Sequence, residues 1–253
     1  MSEAEVSDVQ VDAPEQTPQP GVAGIGIPPV VLALGLLVLA VGAAFAGERL
    51  IAQFERYYYP PDHNQLGDPP EYIEAVRRSM MANMAIGYGL FGTLLMALMG
   101  AWIGLARKPV FALAGLLLGA LVGLICGAST APLGYNIQHT LRETVMEPTL
   151  KTSLILGLTF VAFGIGGSLL PTLLGLARGI GRSILTGVGT GLFMLVIHLV
   201  LATAAFPIDP PEMIFSVGYG VRTTALVMMA LGAAGGAILV LRSHRVQANR
   251  AAN

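Results

Sequence analysis

One histidine and one arginine stand where a charge is hardest to keep. His198 falls near the middle of a long run free of Asp, Glu, Lys and Arg, and Arg222 immediately precedes another such run. An imidazole in an apolar segment can relay protons or ligate a metal or haem. A haem held by two imidazoles, or a three-ligand metal centre, needs further ligands at the same depth. The other histidines, His63, His139 and His244, lie in connections or the tail, and no carboxylate falls inside the uncharged runs to complete a relay. The expectation is a neutral imidazole hydrogen-bonded to a Ser, Thr or backbone carbonyl, with no metal, no cofactor and no catalytic residue. Arg222 follows the apolar stretch Met213–Val221, which places it below the surface. A guanidinium there must snorkel, reach water or meet an anion. Snorkelling is expected, with anion binding as the functional alternative.

Gly166-Gly167-Ser168 followed by Pro171 predicts a helix kink at Gly167 and Pro171, because proline removes a donor and crowds the carbonyl four residues earlier. Interrupted helices of this kind mark binding sites in transporters. Ser168 lacks the following glycine of a Gly-x-Ser-Gly nucleophile element, so intramembrane proteolysis is rejected. Cys126 is the single cysteine; it can form no intrachain disulfide and reads as a small packing residue. The sharpest spacing is glycine every fourth residue: Gly115, Gly119, Gly123 and Gly127. Four bare patches on one helix face admit a neighbouring backbone, either within a bundle or across a homo-oligomer; a Gly-lined pore is the alternative. Gly100 with Gly104, and Gly35 with Gly42, are shorter versions of the same device.

The elements that carry these residues follow from the charge distribution. Only 11% of the 253 residues are charged and 54% are hydrophobic, with mean hydropathy +0.70; soluble domains carry about 25% charged residues. The charge-free runs are 28–47, 80–106, 109–128, 154–177, 184–206 and 223–241. Each approaches or exceeds the roughly 20 residues that span about 30 Å of hydrocarbon as a helix. Length and the lack of alternating polarity argue against membrane strands. The fold class is therefore all-α, a polytopic membrane helix bundle of six spans within residues 27–243. The lipid bilayer is its first partner, and nucleic-acid binding has no supporting motif.

Residues 1–26 hold five acids and no Lys or Arg, the composition of a disordered acidic tail and not of a secretory leader. Residues 244–253 form a short basic tail. Asp68-Pro69-Pro70-Glu71 and Asp209-Pro210-Pro211-Glu212 read as capped helix starts, extending the second helix from Pro69 to Arg107. Residues 48–56 are expected to continue the first helix outward. Gly104-Leu105-Ala106-Arg107 is echoed by Gly175-Leu176-Ala177-Arg178, which suggests two hairpins built on one plan. Trp102 is expected to anchor an interface. Arg107-Lys108, Arg178 with Arg182, and the basic tail fall at alternate span ends, so one orientation puts them all on one side. The positive-inside rule makes that side cytoplasmic, although the opposite connections carry as many basic residues, accompanied by ten acids. Integral insertion in the plasma (inner) membrane with both termini cytoplasmic is the resulting expectation. With no nucleophile, base or metal set, the leading function is a non-enzymatic scaffold or accessory subunit with a homo-oligomeric or membrane-protein partner. The alternative is a facilitative transporter or channel for a small, mostly neutral solute.

Overall fold

The computed structural model describes residues 27–54, 70–141, 148–207 and 219–252. They form six helices: α1 (Pro29–Phe54), α2 (Pro70–Arg107), α3 (Val110–Leu141), α4 (Pro148–Leu173), α5 (Ile180–Ala205) and α6 (Tyr219–Ala252). Each contains a segment long and apolar enough to cross a membrane, so the chain is a multi-pass membrane protein. Hydrocarbon offers the backbone no hydrogen bonds, and an α-helix satisfies its own. The acidic segment 1–26, the caps at Asp68 and Asp209, and Tyr57–Tyr59 lie outside the described residues.

The even-numbered helices are inside. Of the span residues of α2, α4 and α6, 56–61% are buried, against 17–33% for α1, α3 and α5. The odd helices lie in the grooves between the even ones: α3 against α2 and α4, α5 against α4 and α6, α1 against α6 and α2. Between the inner helices the core is filled by large side chains, including Phe91 of α2 and Phe163 of α4, whose rings lie 5.2 Å apart at a 31° tilt.

Helix α1 runs unbroken past residue 47 to Phe54, in line with the expected outward continuation of the first helix, so Glu48 lies inside α1. Helix α6 continues into the basic segment 244–253 as far as Ala252. Helix α4 passes without interruption through Gly166-Gly167-Ser168 and ends at Leu173, two residues after Pro171. Its end is a Schellman turn: Leu176 N–H donates to Pro171 O at 2.8 Å, Gly175 N–H donates to Thr172 O at 3.0 Å, and Gly175 has φ +69°. That backbone favours glycine. Proline therefore sits in the closing turn of α4 and not in the middle of its span.

The two echoed segments differ in conformation. Gly104–Arg107 is helical and leads into a turn of only Lys108 and Pro109, whereas Gly175–Arg178 is the connection itself. Equivalent letters take different conformations because Gly175, the first residue of the second copy, is the left-handed residue that closes α4.

Candidate functional site

An ion pair between α1 and α6 is the most distinctive polar feature of the interior. Arg222 Nη2 donates to Glu48 Oε1 at 2.8 Å, and Nε reaches both carboxylate oxygens at 3.1 Å. The side chains are only 2% and 12% exposed. Arg222 occupies the first turn of α6, and Glu48 lies six residues before the end of α1. The pair therefore sits towards the end of the bundle opposite the Arg107-Lys108 turn. Arg222 does not snorkel; it meets an anion supplied by its own chain.

Small residues flank the pair on both helices. The buried stripe of α1 is Leu32, Leu36, Ala40, Ala43, Ala44, Gly47, Glu48 and Ile51, a helical face on which Glu48 follows alanines and a glycine. A side chain at Gly47 would strike the Phe91 ring, and one at Gly220 would strike the Phe206 ring. Both glycines let aromatic rings close over the helices beside the pair. Sequence reasoning missed Glu48 because it stands one residue past a charge-free run. The available signal was its place on the small-residue face of α1.

His198 is fully buried on α5, its ring 5.5 Å from that of Phe160 in α4. Ser168 is also fully buried. Its hydroxyl donates to the Ser183 carbonyl of α5 at 2.7 Å, and the Thr172 and Ser183 hydroxyls are 2.6 Å apart. These contacts make Ser168 part of a polar seam joining α4 to α5. Cys126 faces Gly166 across the α3–α4 contact. Among the described residues no group of three His, Cys, Asp or Glu lies close enough to hold a metal ion.

The four glycines spaced along α3 face α2 of the same chain. A Cβ at Gly115, Gly119, Gly123 or Gly127 would strike the carbonyl of Gly100, Met96, Gly92 or Tyr88, and one at Gly104 would strike Phe111 O. Gly167 stands in the same relation to the Ala233 backbone of α6. Gly35 and Gly42 separate: Gly35 abuts the indole of Trp102, whereas Gly42 has nothing within 4 Å. Trp102 is half-buried between α1 and α2, with its Nε1–H donating to Leu32 O at 3.1 Å. It ties two helices together, where an interfacial anchor was expected. Compared with protein-family models, curated proteins and solved structures, the chain matches none.

Proposed function

We propose that the chain is a non-enzymatic scaffold or accessory subunit of a membrane assembly, with both termini cytoplasmic in the plasma (inner) membrane. The carrying observation is the excess length of α2 and α3, at 38 and 32 residues. A helix of 38 residues is about 57 Å long, against roughly 30 Å of hydrocarbon. Helix α2 starts ten residues before the charge-free run that opens at Met80, which extends it past the apolar layer at the end opposite the basic turn. Glycine-mediated contact between α2 and α3 supports this reading: backbones in van der Waals contact make a stiff hairpin on which to present a docking surface. The partner is another membrane protein or a second copy of the chain. The test is purification of the full chain in mild detergent from its native membrane. A stoichiometric partner lost on replacing residues 62–78 is expected; a chain that purifies alone and monomeric refutes the scaffold.

Glu48 favours a second reading. Ion coupling in carriers commonly uses membrane-embedded carboxylates, and none falls within the charge-free runs. Glu48 supplies such a carboxylate beside a buried cation, which supports transport of a small solute through opening of the pair. Uptake into vesicles containing the purified protein, abolished by Arg222→Ala, would establish transport in place of scaffolding.

A further inference from the structure

At the basic end of the bundle, an apolar groove of about 590 Å³ runs between α3 and the end of α4. Phe111, Leu117, Leu118 and Leu121 line it on α3, Leu173 on α4, and Arg107 stands at its head. It lies beside the closing turn of α4, whose Leu173, Leu174 and Gly175 form its edge. Leu117, Leu121 and Leu173 are 61%, 55% and 45% exposed, so the groove opens sideways into the hydrocarbon. From Phe111 to Leu121 the helix rises about 15 Å, half of the roughly 30 Å core. The groove is one leaflet deep.

Arg107 is held ready at its mouth. Its Nη1 donates to Leu174 O at 2.7 Å, and its guanidinium carbon lies 4.2 Å from the centroid of the Phe111 ring. Leu174 lies at the C-terminal end of α4, where free carbonyls and the helix dipole favour a cation. An arginine has five N–H donors, and the Leu174 bond is the one this guanidinium makes among the described residues. Lys108 follows and is exposed, as are Arg178 and Arg182 at the same end. No Asp or Glu occurs between Glu74 and Glu143, or between Glu147 and Asp209, so the helices around this end bring no carboxylate to neutralise the cations.

We propose that this groove binds an anionic phospholipid, with one acyl chain along the α3 leucines and the phosphate on Arg107 and Lys108. The charge at the head selects the anion, and the sideways opening into hydrocarbon selects a lipid over a soluble phosphate. Basic pockets between membrane helices recognise lipid headgroups in this way. The site requires only that the chain spans a bilayer, so it is separate from the scaffold and transport readings.

The test is native mass spectrometry of the full chain in mild detergent, titrated with phosphatidylglycerol or with phosphatidylcholine of the same acyl chains. Phosphatidylglycerol should be retained preferentially. Arg107→Gln and Lys108→Gln should each weaken its retention about fivefold, the value of one cation near a lipid surface, and weaken phosphatidylcholine, whose choline offsets the phosphate charge, by less. Leu117→Trp, which fills the groove, should reduce retention of both lipids. Excess glycerol phosphate should not displace the lipid. If the Trp102 emission of Arg107→Gln shows a disturbed fold, the exposed Lys108 and Leu117 variants decide the outcome. Equal retention of the two lipids, selectivity unchanged in Lys108→Gln, retention unchanged in Leu117→Trp, or full displacement by glycerol phosphate would each overturn the proposal.

Discussion

Removing either member of the Arg222–Glu48 pair should loosen α1 from the bundle far more than removing both. With charge centres about 4 Å apart, the attraction is on the order of 4 kcal/mol at an effective dielectric of 20, and the hydrogen bonds are charge-assisted. Desolvation cancels much of that gain while the pair is intact. Deleting one partner leaves the other charge buried, at a cost of about 3–5 kcal/mol. Arg222→Met and Glu48→Leu should therefore each destabilise the protein by about that much. Glu48→Leu combined with Arg222→Met fills the space with apolar atoms and should return stability to within about 1 kcal/mol of the wild type. The coupling in the cycle is then at least about 5 kcal/mol. Equilibrium unfolding by SDS from mild-detergent micelles, followed by fluorescence, provides the assay. Trp102 is the sole tryptophan and packs on Gly35 of α1, so its emission reports whether α1 stays docked. Single substitutions costing under about 1 kcal/mol, or a double variant equal to the sum of the singles, would refute the reasoning.

Two glycine-to-alanine changes should have opposite signs. Gly119→Ala drives a methyl into the Met96 carbonyl of α2 and should cost about 1–3 kcal/mol or more in the same SDS titration, because a backbone cannot rotate away. Gly42→Ala meets open space and should stabilise the helix by up to about 1 kcal/mol through propensity alone. At Gly35 the obstacle is a side chain, so Gly35→Ala should shift Trp102 emission as the ring moves, with a smaller loss of stability than Gly119→Ala. Reporter fusions after Lys108, Gly179 and Asn253 should all give cytoplasmic signals; an external signal at any one contradicts the orientation.

The ion pair shows where reading the chain reaches its limit. Arg222 was identifiable as a cation below the surface because its neighbours are apolar. Its partner is 174 residues away, and nothing local marks Glu48 as an inward-facing residue except the alanines and Gly47 that precede it on the same face. The glycine ladder was legible as a close-approach surface because a missing side chain has a geometric consequence wherever it occurs. Its partner was not, since packing within the chain and packing across an oligomer use the same residues; in the structure the ladder faces α2. Pro171 was legible as a disturbance, but whether it bends a span or closes a helix depends on where the next turn falls.

The sequence by itself determined that hydrocarbon is the solvent and how many times the chain crosses it. Each charge carries its own desolvation cost, so charge-free length can be counted residue by residue. Only the tertiary structure decided which helices are central, which face of each turns inward, and which charges meet. Hydrophobic periodicity holds little of that information here: a leucine is as well accommodated by lipid as by a neighbouring helix, and α3 and α5 keep large apolar side chains on their exposed faces. Contact shape and paired charges settle those choices, and both depend on residues far apart in the chain.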